Sequence, residues 1–128
     1  MSDSQENATP VGNAAATRER LARARAATTE QIAALSRDYD GIVEANALAP
    51  VDDEHDPEGS STAFERAHTV ALLGQARERL AALDEAMERL DRGEYGRCEG
   101  CGEPIPAERL DILPAATSCA RCAAARGR

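Results

Sequence analysis

The four cysteines of the chain form two C-x-x-C pairs, and this arrangement constrains the fold more than any other feature. Cys98 and Cys101 are followed, after 17 residues, by Cys119 and Cys122. A C-x-x-C turn places two thiolates on one side of a tight loop, and two such turns complete the tetrahedron that Zn²⁺ prefers. Because the protein would fill all four positions and leave none for water, we predict one structural zinc ion per chain.

Other uses of paired cysteines are open alternatives. Two disulfides would need an oxidising compartment, which nothing in the sequence indicates. A thiol redox enzyme usually places its C-x-x-C pair after a strand and at the start of a helix, and neither pair has that context. An iron–sulfur cluster also uses four thiolates. Zinc is the prediction that needs no special compartment and no neighbouring strand.

The composition indicates helices packed along a seam rather than a thick globular core. Only three of the 128 residues are aromatic, whereas 27 are alanine. Alanine favours the helix and lets two backbones approach closely. A core this thin usually needs further stabilisation, which a zinc site would supply.

Hydrophobic positions spaced by four and three residues predict two long helices, at about 17–48 and 62–92. Thr62 and Glu65 fit a capping box at the start of the second helix, and Gly93 ends it. The two seams consist of Leu21, Arg25, Thr28, Ile32, Leu35, Tyr39, Ile42 and Asn46, and of Thr69, Leu73, Ala76, Leu80, Leu83, Met87 and Leu90.

Helices of equal length joined by a short turn predict a mainly α fold, in which an antiparallel two-helix coiled-coil hairpin precedes a small four-cysteine zinc-finger module. We predict a disordered N-terminal tail at 1–16, the hairpin at 17–92 and the zinc-finger module at 93–128. Two separate helices that pack on other chains are the alternative. Gly41 and Gly74 inside the helices are either tolerated or mark a bend or close approach.

The predicted turn at 50–61 is strongly acidic and would form the tip of the hairpin, away from the zinc module. Five carboxylates lie within seven residues, on Asp52, Asp53, Glu54, Asp56 and Glu58. A calcium loop of the EF-hand type is excluded because proline stands at position 57, where that loop needs glycine. A solvated turn and a functional tip both fit the charge alone.

The charge and hydropathy of the chain limit the kinds of partner and the cellular location that we expect. The formal net charge is −8, and an acidic chain repels phosphate backbones, so we expect no direct sequence-specific nucleic-acid binding. No stretch is long and apolar enough to span a membrane, and residues 1–17 lack the basic and apolar regions of a secretory signal. We therefore expect a cytoplasmic protein with reduced cysteines.

The segment 93–122 has distinctive residues besides the cysteines. They are Tyr95-Gly96, Ile105, Arg109-Leu110 and Pro114. Together with the spacing of both cysteine pairs, these residues make the segment resemble the zinc finger of the DksA/TraR family. The preceding hairpin is similar in kind to the coiled coil of that family, so the resemblance covers roughly residues 17–128.

The resemblance implies a role at RNA polymerase. Members of the family insert the tip of the coiled coil into the secondary channel of polymerase and modulate initiation, often together with the alarmone ppGpp. Their tip motif, Asp-x-x-Asp-x-Ala, matches Asp53 and Asp56, whereas Glu58 stands in the place of the alanine. The implied functional tip residues are therefore Asp53 and Asp56, and ppGpp is implied at the polymerase interface.

Several functions are compatible with these patterns. The leading hypothesis is a monomeric transcription regulator that binds RNA polymerase and is not an enzyme. In a variant of it, the acidic tip holds a metal, as in transcript-cleavage factors of the Gre type. The alternatives are an interaction module for another protein, with a purely structural zinc site, and a thiol redox enzyme.

Overall fold

The computed structural model describes residues 11–48 and 57–126, and this part of the chain forms four helices. Helix α1 spans Val11–Leu48 and helix α2 spans Pro57–Asp91. Two short helices follow, α3 at Ala107–Ile112 and α4 at Ala120–Arg126. None of these helices is both long and apolar enough to span a bilayer.

The described chain is organised as two compact units. The first unit contains α1 as far as Ala26, α2 from Leu80 onward, and the segment that carries the cysteines. The second unit contains α1 from Ala27 and α2 as far as Arg79. Both units include one stretch of each long helix.

In the first unit, α1 and α2 run antiparallel around a small apolar core. Nη2 of Arg18 lies 2.7 Å from Oδ1 of Asp91, and Arg25 pairs with Asp84, so each step of seven residues up α1 matches seven residues down α2. The core between them consists of Leu21, Leu83, Ala86 and Leu90, with Tyr95 after the helix. Leucine side chains therefore fill the seam that the spacing predicts, while charged pairs line its edge.

In the second unit, the same two helices pack along a seam of smaller side chains. Thr28, Thr69, Leu73 and Ala76 are buried. Further along α1, the seam is only half-buried, at Ile32, Leu35, Tyr39 and Ile42. Nη1 of Arg79 donates to Oε1 of Gln31 across the helix pair at 3.0 Å. The predicted antiparallel hairpin fold is confirmed.

The starts of both long helices differ from the prediction. Helix α1 begins at Val11, so residues 11–16 are helical rather than part of a tail, and the alanines at 14–16 favour this extension. Helix α2 begins at Pro57, so Thr62 lies inside it and does not cap it. Proline is well tolerated in the first turn of a helix, because its missing N–H would have no partner there. The acidic residues Asp53 and Asp56 lie outside the described residues.

The end of α2 agrees with the prediction that Gly93 stops it. Gly93 adopts a φ of 77°, its N–H donates to the carbonyl of Leu90, and the N–H of Glu94 donates to the carbonyl of Arg89 at 2.8 Å. This is a Schellman motif, which needs a left-handed residue and therefore favours glycine. At Gly41 and Gly74, by contrast, an added Cβ would meet no atom within 4 Å, so neither glycine mediates a close approach between the described residues.

Candidate metal centre

The first cysteine pair lies at the end of a short ribbon that follows α2. The N–H of Ile105 donates to the carbonyl of Gly96 at 2.7 Å, and the N–H of Cys98 donates to the carbonyl of Glu103 at 2.8 Å. The chain turns back between these bonds, where the N–H of Gly102 donates to the carbonyl of Cys98 at 2.9 Å. This turn presents the two thiols of the first pair on one side.

The second cysteine pair is held by the start of α4. Cys119 precedes the helix and Cys122 lies in its first turn, so the helical backbone fixes the spacing of the two thiols. The N–H of Ala123 donates to the carbonyl of Cys119 at 2.9 Å. The N–H of Glu99, in the first loop, donates to the carbonyl of Thr117 at 2.8 Å. This last bond ties the two cysteine loops together.

The four sulfur atoms have the spacing of a tetrahedral metal site. All four lie within 4.8 Å of one another. Sγ of Cys119 is 3.8 Å from that of Cys98 and 3.9 Å from that of Cys101. Four Zn–S bonds of about 2.3 Å to the corners of a tetrahedron give sulfur–sulfur distances of about 3.8 Å. The donor set therefore fits one zinc ion.

The same distances match neither two disulfides nor an iron–sulfur cluster. All four are free thiols in the structure, and a disulfide would bring its two sulfurs to about 2.05 Å. Sulfurs this close also leave no room for several iron atoms between them, because a cluster needs space for its own iron and sulfide ions.

Hydrogen bonds from backbone N–H groups stabilise the thiolate form of two of the cysteines. The N–H of Cys119 lies 3.3 Å from Sγ of Cys98, and those of Cys101 and Gly100 also donate to this sulfur, which lowers the pKa of Cys98 to about 6. The N–H of Cys122 likewise lowers the pKa of Cys119. The neighbouring sulfurs, Cys119 first, raise the pKa of Cys122 to about 12. A cation therefore has to displace a proton from Cys122, as metal binding to thiols generally requires.

Gly100 lies close to Cys122 of the second cysteine pair. A Cβ at this position would come within 3.0 Å of Sγ and 3.2 Å of Cβ of Cys122. Because both atoms belong to a residue of the site, a side chain here would push Cys122 out of position. Glycine at position 100 therefore provides space for Cys122.

The cysteine segment is attached to the long helices through Tyr95. Its buried ring belongs to the same core as Leu21 and Leu90, and its hydroxyl donates to the carbonyl of Pro114 at 2.7 Å. Burial raises the pKa of this hydroxyl, and the nearby Arg20 partly opposes the shift. The sequence marked Tyr95 only as part of a resemblance, and its anchoring role appears in the fold.

Comparisons with known proteins agree with this geometry. Residues 93–126 match the family model described as the prokaryotic dksA/traR C4-type zinc finger. The solved structure of transcription factor DksA2 from Pseudomonas aeruginosa superimposes with a TM-score of 0.79 and 27% sequence identity, over 99% of this chain and 91% of that chain. Residues 93–126 are a DksA/TraR C4-type zinc finger, and the fold of the whole chain is similar to that of DksA2.

Curated relatives match over shorter segments. YteA of Bacillus subtilis is 37% identical over 82 residues, which are 64% of this chain and 33% of YteA. The RNA polymerase-binding transcription factor DksA of Caulobacter vibrioides is 36% identical over 58 residues, 45% of this chain and 41% of that factor. The matches thus span less than half of the length of these relatives.

Proposed function

We propose that this protein acts as a member of the DksA/TraR family, as a non-enzymatic, cytoplasmic transcription regulator that binds RNA polymerase. The observation that carries the proposal is the likeness to DksA2, which extends over 99% of this chain rather than over the zinc finger alone. The sequence identity to the Caulobacter factor, whose name states that it binds RNA polymerase, supports polymerase as the partner of this chain as well. In this proposal the end of the hairpin enters the secondary channel and modulates initiation, with ppGpp at the polymerase interface.

The zinc ion has a structural role in this proposal. One ion bound by Cys98, Cys101, Cys119 and Cys122 would have protein sulfur at every position of its tetrahedron, so no position is left for water or substrate. The ion would join the two cysteine loops and thereby hold the module against the base of the hairpin.

The tip residues Asp53 and Asp56 have the active role in this proposal. A carboxylate near the magnesium ion of a polymerase active centre acts through the strong local field of that ion. Two aspartates at this place would change how the ion and the incoming nucleotide are held. Binding itself would rest on the larger surfaces of the hairpin and the module, because isolated exposed charges contribute little affinity.

The test of polymerase binding uses the purified full-length chain and purified polymerase. The two should elute together in size-exclusion chromatography, and a matched amount of zinc-free protein should bind less, because its module is not ordered. Separate elution at micromolar concentrations would contradict the proposal and favour an interaction module for another partner.

The test of channel insertion needs a probe at the polymerase active centre. Fe²⁺ in place of the catalytic Mg²⁺ generates hydroxyl radicals that cut only nearby polypeptide. Cleavage of this chain should fall within residues 50–61 and should disappear when an excess of Mg²⁺ displaces the iron. Binding without cleavage in this segment would refute insertion while leaving polymerase binding in place.

A further inference from the structure

We propose that Arg89 is a positioning residue for the zinc site, and that it sets how tightly the site holds the ion. Arg89 lies in the last turn of α2 and is not part of either cysteine loop. The inference rests on zinc binding by the four cysteines, as proposed above, and adds a residue that neither the cysteine pattern nor the matched family description identifies.

The guanidinium group of Arg89 contacts the residues on both sides of Cys98. Its Nη2 donates to the backbone carbonyl of Arg97 at 2.9 Å, and its Nη1 donates to Oε2 of Glu99 at 3.0 Å. Nη2 also donates to the carbonyl of Glu94 at 3.1 Å. Since Arg97 and Glu99 flank Cys98, the position of this cysteine depends on where Arg89 holds its two neighbours.

The surroundings of Arg89 make these contacts hard to replace. Its side chain is only 10% exposed, whereas that of Glu99 is 53% exposed. A buried guanidinium group without partners is costly, so the local chain is constrained to keep acceptors around it. The planar fork of arginine serves three acceptors from fixed directions, which the single ammonium group of lysine does not reproduce.

The backbone around Arg89 is fixed as firmly as its side chain. The carbonyl of Arg89 accepts the N–H of Glu94 in the motif that ends α2. The side chain of Arg89 in turn donates a hydrogen bond to the carbonyl of Glu94. The helix end, the connection and the first cysteine loop therefore form one rigid support for Cys98.

If this support holds Cys98 in place, its loss should lower the zinc affinity and speed zinc release. Residues that orient metal ligands from outside the coordination sphere typically contribute about 10- to 100-fold to metal affinity. We expect Arg89→Gln to release zinc at least about tenfold faster to an excess of a chromogenic chelator. Arg89→Lys should restore only a small part of this loss, because it keeps the charge but not the fork.

Arg92→Gln is the matched control for charge, at a site three residues further along the chain. Arg92 directly follows the last residue of α2, is exposed, and pairs with Glu88 and Glu94. Removing its charge changes the net charge by the same amount as Arg89→Gln and touches neither cysteine loop. Its zinc release should match that of the unaltered protein.

Leu90→Ala is the control for general loss of stability. Leu90 is buried in the core beside Tyr95 but makes no hydrogen bond to the cysteine loops through its side chain. Zinc release and urea unfolding are measured for every variant. Arg89→Gln should release zinc much faster than Leu90→Ala for the same loss of unfolding free energy.

The outcomes separate this inference from the proposed zinc site. If the unaltered protein contains no zinc by elemental analysis, the zinc site itself is refuted. If it contains one zinc, and release from Arg89→Gln equals that from Arg92→Gln or merely follows stability as in Leu90→Ala, the positioning role is overturned. Should Arg89→Gln fail to fold, Glu99→Gln removes the charged acceptor from an exposed side chain. It should then speed release as well, and unchanged release would overturn the inference.

Discussion

Replacing Cys98 with serine tests how far the zinc ion holds the protein together. A structural zinc site contributes on the order of 10 kcal/mol or more, which is comparable to the whole stability of a domain, about 5–15 kcal/mol. The remaining three thiols cannot complete the tetrahedron, so we expect the segment 93–126 to unfold. The packing of Leu21 against Leu83 and Leu90 involves no thiol, and the two long helices should therefore persist.

The structure sets the size of the expected signal. Helices α3 and α4 contain 6 and 7 residues, against 38 and 35 in α1 and α2. Unfolding of the cysteine segment alone should remove about one seventh of the helical signal in far-ultraviolet circular dichroism. The unaltered protein, stripped of zinc by a chelator, is the control and should lose the same fraction.

A much larger loss would refute this reasoning. If the Cys98→Ser variant lost more than half of its helical signal, the base of the hairpin and the cysteine segment would form one cooperative unit. The buried ring of Tyr95, which belongs to the helix core, would then be the contact whose loss carries the unfolding into α1 and α2. If the variant kept its full signal and still bound one zinc, Cys98 would not be a ligand.

Three further predictions concern the tip, one glycine and the dependence of zinc binding on pH. Changing Asp53 and Asp56 together to asparagine should leave polymerase binding nearly unchanged and abolish the effect on transcription in a purified initiation assay. If the variant failed to bind polymerase, the tip would contribute to binding rather than to regulation. If it bound and regulated normally, the acidic residues would form only a solvated turn. Gly74→Ala should raise the free energy of unfolding in urea by about 1 kcal/mol, since the new methyl group meets open space, and a destabilised variant would mean that this glycine has a conformational role. Zinc affinity, measured by chelator competition, should rise with pH through the neutral range, because the pKa of Cys122 is raised to about 12 and its proton must leave when the metal binds. Affinity that did not change with pH would show that the thiols are already ionised before the ion arrives.

The sequence predicted the seam and the cysteine cluster well because both depend on spacing alone. Residues four and three apart share one face of a helix whatever their neighbours are, and Leu21 and Leu83 are buried as the spacing requires. Two C-x-x-C pairs need only a suitable connection, so their meeting within 4.8 Å could be anticipated as well.

The helix starts and the supporting residues could not be predicted in the same way. Pro57 and the alanines at 14–16 are compatible both with a helix and with a turn or tail, and the choice depends on tertiary packing such as that of Ala14 against the core. Arg89 has no periodic signal that distinguishes it from the exposed arginines nearby. Its burial follows from three acceptors that come together only after the chain has turned at Gly93.

The two charged pairs at the edge of the first unit are seven residues apart on each helix, so they do not by themselves fix the register of α1 against α2. If α1 slipped by one heptad along α2, Arg25 would meet Asp91, and one attractive pair would survive the error. Exposed pairs of this kind contribute only about 0–1 kcal/mol each, so they discriminate weakly between the two alignments.

What distinguishes the alignments is the part of the chain that does not repeat. Tyr95 joins the core at one place only, and its hydroxyl is held by Pro114, which belongs to the segment between the two cysteine pairs. Within the first unit, the segment that carries the cysteines therefore favours this alignment of α1 and α2, in addition to the short connection between the two helices. We therefore expect a chain synthesised without zinc to form both helices but to hold this alignment less tightly.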